Sequence, residues 1–320
     1  MRHWTFAWAI GCASAALAAM AWLWPWTRMP VITFLSYGMA ALGLSVLMRA
    51  GQVSFGHAMY ALIAGYGTAF TVRAFPGADA LVALAAGVSS AVVLGVVVAA
   101  FVSRYRGIFF GMLNLGISMV FYSLAGKLYT WTGGTDGLRF ERPPLLGMTL
   151  DRGEFEWGMM LLALASAVLL GWAVQRYFRS SAGQIAAAIR VNETRLEYIG
   201  LSARAAMVEA YVLSSALVGV GGAMLALAQG LMTPEGGYWL RSGEYVFIAI
   251  LGGAGHAIGA FLGAAVFELI LLMGAVYFTN IWQIVLGATL LAVIFFAPSG
   301  LVGRFRQFRQ GRAARAVNHE

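Results

Sequence analysis

The chain has 320 residues, 61% of them hydrophobic and only 11% charged, with a formal net charge of +8. A soluble domain carries about a quarter charged residues, so this much apolar surface excludes a soluble fold and calls for lipid, an apolar solvent in its own right. The arginines punctuate long apolar runs instead of forming one basic domain, which argues against a nucleic-acid partner, and the single Cys12 excludes a disulfide framework or a cysteine-based metal site.

A helix needs about 20 apolar residues to cross the hydrocarbon layer. The first apolar run, 4–24, is longer than a signal-peptide core and ends in Trp22, Trp24 and Trp26, an aromatic belt. It is predicted to be a retained span. Further spans are predicted at 31–48, 53–72, 80–102, 107–126, 157–175 and 206–230, before a long apolar stretch from 245 to 297. The polar segments 73–79, 127–156 and 176–205 are predicted loops, and 304–320 a basic tail after a transmembrane domain of 1–303.

Charge sets the predicted orientation. Segment 176–205 holds Arg176, Arg179, Arg190, Arg195 and Arg204 against Glu193 and Glu197, and the tail is also basic, so the positive-inside rule puts both in the cytoplasm. Segment 127–156 has no basic bias and is placed outside, with a coupling candidate at about 180–202 inside. Both termini are then cytoplasmic. Span 206–230 runs outward, so an odd number of crossings must follow it, yet 245–297 holds only two full spans. Gly252, Gly253 and Gly255 interrupt that stretch. A short or broken helix over about 244–253 restores parity, followed by helices at about 257–278 and 281–297. Such breaks are tolerated where protein satisfies the freed backbone, and transporters place them near the substrate path. The fold class is therefore an all-α polytopic membrane bundle of about 9 or 10 transmembrane helices with at least one short or broken. No clean internal sequence repeat is visible.

Several motifs bear on chemistry. Ser180 to Ser202 has helical spacing of Ile185, Ile189, Leu196 and Ile199, with a glycine stop at Gly200. Such an amphipathic helix either docks a soluble partner or rests on lipid headgroups. His57 lies in Ser54-Phe-Gly-His-Ala58, where a buried polar side chain either lines a path or packs against a backbone carbonyl. Gly51, Ser54, Phe55, Gly56, His57 and Asn114 are the candidate path residues. Thr132-Gly-Gly-Thr-Asp-Gly137, with Gly133, Gly134, Asp136 and Gly137, reads as a tight external turn. Its one carboxylate is too few for a calcium site, and no metal site is expected. Gly255, Gly259 and Gly263 form small-xxx-small repeats that suit close helix packing, within the subunit or against another. Glu268 sits deep in the last apolar stretch and needs a polar partner. No catalytic constellation stands out. The only Gly-Lys pair, Gly126-Lys127, has Phe121 where a phosphate loop needs glycine, so any ATPase is a separate chain.

Five segments in order carry a resemblance: Gly51-Gln-Val-Ser-Phe-Gly-His-Ala58, Thr132-Gly-Gly-Thr-Asp-Gly-Leu138, Ala186-Ala-Ala-Ile-Arg-Val-Asn-Glu193 with Tyr198-Ile-Gly-Leu201, Ile250-Leu-Gly-Gly-Ala-Gly255 and Phe296-Ala-Pro-Ser-Gly-Leu301. Together they resemble the branched-chain amino acid ABC permeases of the LivM type. The resemblance implies a subunit of the bacterial inner membrane that moves branched-chain or similar hydrophobic amino acids by alternating access. It implies a heterodimer with a second permease, two cytoplasmic ATPases that use ATP and Mg, and a periplasmic binding protein; this chain itself binds no cofactor. Ala186, Ala187, Ile189, Arg190, Asn192, Glu193 and Gly200 would be its ATPase-coupling residues. His256 stands where the family has a small or hydroxyl residue, and urea and amide permeases share much of the pattern. An ion-coupled secondary transporter is a further alternative, with Glu268 its one plausible deep carboxylate.

Overall fold

The computed structural model describes residues 15–277, 282–296 and 300–303. It is a polytopic bundle of membrane helices, with α1 at 15–23, α2 at Arg28–Arg49, α3 at Ala58–Ala74, α4 at Ala80–Val102 and α5 at Gly107–Lys127. After the single turn α6 (Tyr129–Thr132) come α7 (Arg152–Arg179), α8 (Ser181–Tyr198), α9 (Ala203–Gln229), α10 (Trp239–Gly252), α11 (Ala257–Tyr277) and α12 (Trp282–Phe296). Six described helices are long and apolar enough to cross a membrane; α3, at 17 residues, and α10, at 14, are shorter. The first part of the predicted span 4–24 and the tail 304–320 lie outside the described residues.

The predicted spans 80–102 and 206–230 appear almost unchanged as α4 and α9, whereas α7 extends the predicted 157–175 at both ends. Its N-terminal extension has a local cause. Asp151 and Glu154 form a capping box that satisfies the first free amides. The broken helix near 244–253 is α10, which begins earlier, at Trp239, and ends where Gly253 takes φ +96°.

The predicted span 53–72 is corrected. Residues 52–57 are not helical, and α3 starts only at Ala58. Gly51, at φ +76°, turns the chain at the end of α2. Segment 51–57 then runs back along the first turns of α5: Gln52 Oε1 accepts from the Gly107 amide at 2.8 Å, and Gly56 lies against the Asn114 carbonyl so closely that a Cβ would collide with it. Apolar character alone does not distinguish a helix from a buried extended segment.

A second such segment comes from the opposite end of the bundle. Gly230, at φ +64°, ends α9. The chain forms β2 (Leu231–Met232), antiparallel to β1 (Leu138–Arg139), and one 3₁₀ turn at Pro234–Gly237 before α10 begins. Ser118 Oγ donates to the Gly237 carbonyl at 3.3 Å, and the Tyr122 and Tyr238 rings lie 5.1 Å apart. Helix α5 is thus flanked by one segment near Asn114 and by the other near Ser118. The two meet where the Ala58 amide donates to Ser242 Oγ at 2.8 Å.

These units are arranged alike. A long helix, a left-handed glycine, an extended segment and a short helix occur as α2–α3 and again, inverted, as α9–α10. The packing follows the same exchange: α2 lies against α9, α3 packs on α4 and α9, and α10 packs on α11 and α2. Small residues allow the approach. A Cβ on Gly43 would lie 2.7 Å from the Ser214 carbonyl, and one on Gly221 would strike that of Ser36, which also shows that α2 and α9 run antiparallel. Helices α2 and α9 are mostly buried, whereas α4, α5 and α7 turn much of their apolar surface outward, as lipid- or partner-facing helices do.

Candidate functional site

The first polar cluster sits where segment 51–57 meets α3, α5 and α9. His57 Nδ1 is 2.7 Å from Ser54 Oγ, and its ring is edge-on to Tyr60 and Tyr211 at about 5 Å. The Tyr60 hydroxyl donates to the Tyr211 hydroxyl at 2.9 Å, the Tyr211 hydroxyl donates to Asn114 Oδ1, and Asn114 Nδ2 donates to the Phe110 carbonyl at 2.8 Å. Ser54, His57, Tyr60, Asn114 and Tyr211 are all fully buried, and His57 Nε2 has no hydrogen-bond partner among the described residues. The predicted path residues Ser54, Gly56, His57 and Asn114 are therefore brought together and buried, while Gly51 is exposed and Phe55 is 38% exposed. Tyr60 and Tyr211 were not legible as site residues, because a tyrosine within an apolar run is an ordinary core residue.

The second polar cluster occupies the equivalent place in the inverted unit. Arg241 Nη1 donates to Glu244 Oε2 at 2.6 Å and to the Tyr37 hydroxyl at 2.5 Å, and its guanidinium lies 5.4 Å from the Tyr37 ring centroid. Glu268, on α11, lies within electrostatic reach of both charges. The Tyr37 ring meets those of Tyr245 and Phe267 at 5.8 and 6.2 Å, and Phe247 meets Phe267 at 5.6 Å. Arg241 and Glu244 escaped the sequence reading because they fall just before the apolar stretch that begins at 245. Only a short helix starting at Trp239 carries them into the bundle.

The third element is α8, lying across the end of the bundle. It turns Gly183, Ala186, Ile189 and Leu196 inward and leaves Arg190, Val191, Asn192, Arg195, Tyr198 and Ile199 exposed; Ala187 is half-buried. Ile199 thus departs from its predicted inward face. Asn192 breaks the helix at φ −164° and ψ 103°, so the phase of the apolar stripe resets there. Gly200, at φ +83°, ends it as predicted. Two arginines hold α8 in place. Arg49 donates to the Phe178 and Gly183 carbonyls at 3.0 and 3.2 Å, and Arg106 grips Glu193 with two bonds of 2.7 and 2.9 Å. A Cβ on Gly51 would lie 3.0 Å from Arg190 Cγ, so α8 touches the start of segment 51–57 directly.

At the other end, Gly133, Gly134 and Gly137 all have φ between +59° and +77°, which makes the predicted turn a glycine-dependent one. Gly133 and Gly137, with Asp136, Arg73, Tyr129 and Arg139, line a cavity of about 460 Å³. Of the predicted packing glycines, Gly252, Gly259 and Gly263 bring α10 against α11, where each backbone fills the other's missing Cβ, and the Gly253 carbonyl lies against Gly259. Gly255 does not: a Cβ there meets nothing within 4 Å, because it lies in the turn between the helices.

Two inverted helical units with broken helices, paired polar clusters and an amphipathic helix across one end define a membrane transport fold. Residues 28–294 match the family model described as the branched-chain amino acid transport system permease component, and the chain belongs to that family. Its members are transport subunits and not themselves enzymes. The chain is 26% identical over 222 residues to the high-affinity branched-chain amino acid transport system permease protein LivM of Escherichia coli strain K12. The LivM of Salmonella typhimurium is equally similar; each match covers 63% of this chain and 52% of the relative. The chain spans about half the length of the curated relatives it matches. No solved structure matches it.

Proposed function

We propose that this chain is one of two permease subunits of an ABC importer of the bacterial inner membrane, carrying branched-chain or similar hydrophobic amino acids. The observation that carries the reading is α8. Its outward face offers Val191, Arg195 and Tyr198 to a soluble partner, while Arg190 touches Gly51 and Arg49 and Arg106 hold the helix to the bundle. A push on α8 is therefore passed to segment 51–57 and to the Ser54–His57 cluster at its far end. On this reading the α8 end is cytoplasmic, ATP and Mg are used by two ATPase partners, and both chain termini lie on their side. A binding protein delivers substrate at the opposite end, near the Gly133–Gly137 turn. Closure of the ATPases drives alternating access, and this chain performs no covalent chemistry.

Reconstitution tests the proposal. Liposomes holding both permeases are supplied with loaded binding protein, with and without the ATPases. Uptake of leucine, isoleucine or valine should require the ATPases and ATP. Uptake by the permeases alone would overturn the importer reading in favour of an ion-coupled carrier. Uptake of urea or short amides in place of amino acids would move the substrate class to the related permeases.

A further inference from the structure

The Arg241 cluster is an unusual thing to find at its depth. Tyr37 lies close to halfway along the 22-residue α2, and Glu268 close to halfway along the 21-residue α11, so the charges sit near the bilayer midplane. Charges there are costly against lipid and face a bundle interior, a partner or a water-filled path. These charges are not sealed inside this subunit. The Arg241 and Glu244 side chains are 31% and 15% exposed, and Leu240, Gly243, Phe247 and Ile250 continue the same partly open face of α10. Glu268 Oε2 is buried and has no hydrogen-bond partner among the described residues. The inverted counterpart of this place, the Tyr60–Tyr211–Asn114 chain, contains no ionised pair and is fully enclosed. Arrangement alone therefore does not require charge here.

We infer that Arg241, Glu244 and Glu268 form a midplane site for the zwitterionic head of an α-amino acid. Arg241 receives the α-carboxylate, for which its planar fork is suited. The α-ammonium is held by Glu268, while Glu244 keeps its bond to Arg241. Tyr37, Tyr245, Phe247 and Phe267 supply the apolar and aromatic wall for the side chain. Free, the site keeps its arginine paired with Glu244. The three side chains sum to one negative charge and a zwitterion leaves that sum unchanged, but its ammonium gives Glu268 the opposite charge that the free site lacks, and its carboxylate shares Arg241 with Glu244. The short helix α10 carries two of the three charges, in keeping with transporters whose sites are built on discontinuous helices at a repeat interface. The inference rests on the importer reading and names the residues that would recognise its substrate.

Two variants in the complete reconstituted importer test it. Glu268→Gln keeps shape and removes one charge. The exchange Arg241→Glu with Glu244→Arg keeps an ion pair and reverses its direction. Both complexes should take up at least tenfold less leucine per ATP hydrolysed than wild type. Hydrolysis that continues without uptake is the signature that a merely structural ion pair does not give. Wild-type uptake in Glu268→Gln, or its return in the exchanged pair, would overturn the site. If the exchanged complex does not assemble, Glu268→Gln alone decides. If the wild-type complex itself takes up no amino acid, it is the importer reading that fails.

Discussion

Removing one hydroxyl should expose the logic of the enclosed cluster. Tyr211 stands in the middle of a relay: it accepts from Tyr60, donates to Asn114 Oδ1, and is fully buried. Tyr211→Phe leaves two orphans, the Tyr60 donor and the Asn114 acceptor. At about 1–3 kcal/mol for each buried unsatisfied group, moderated in membranes by partners found in the unfolded state, the cost is about 2–4 kcal/mol. Tyr60→Phe leaves only a hydroxyl with one fewer donor, since Tyr211 still donates to Asn114, and should cost about 0.5–1 kcal/mol. The double variant has one orphan, Asn114 Oδ1, so adding Tyr60→Phe to Tyr211→Phe should regain about 1 kcal/mol. Thermal or SDS-induced unfolding of the purified subunit in micelles, run as a double-mutant cycle, measures this non-additivity. Strictly additive losses, or a Tyr60→Phe cost as large as that of Tyr211→Phe, would refute the donor order of the relay.

Breaking the clamp on α8 should separate stability from coupling. Arg106 and Glu193 are 24% and 34% exposed, so a double-alanine cycle should give a coupling of only about 0.5–1 kcal/mol, yet amino acid moved per ATP in the reconstituted importer should fall severalfold. An unchanged transport ratio would mean that the clamp passes no force. At the α10–α11 contact, Gly252→Ala puts a methyl group onto the Gly259 carbonyl and should cost about 1–3 kcal/mol, with lower yield of folded subunit. Gly255→Ala, which meets open space, should stay within about 0.5 kcal/mol. Melting temperatures of the two variants give the comparison.

Long apolar runs bounded by charge, such as 80–102, translate into helices almost residue for residue, because in lipid the helix is the way a lone segment satisfies its own backbone. Segments 51–57 and 230–238 broke that rule. Their amides and carbonyls are satisfied partly by other elements, as the Gln52–Gly107, Ala58–Ser242 and Ser118–Gly237 bonds show, and such bonds leave no periodicity to read. The parity of crossings nevertheless demanded a broken helix, and α10 is that helix. His57 and Asn114 were visible as polar residues in apolar runs, but not that two tyrosines from α3 and α9 join them. Arg241 and Glu244 lie just before the apolar stretch that begins at 245 and did not stand out as site residues. The inverted arrangement was invisible, since packing equivalence between α2 and α9 asks only for small residues at crossing points and not for similar sequences.

That inverted arrangement bears on how much work the machine must do. Asn114 and Ser118, where the two extended segments lie against α5, are one helical turn apart, about 6 Å along the axis. On the importer reading, halves built alike and pointing opposite ways are the elements that alternating access exchanges, with a thin partition between them. Tipping a balance from 1:99 to 99:1 takes about 5.5 kcal/mol of differential binding. On that reading, the proposed partners set the direction by preferring one position over the other to this extent.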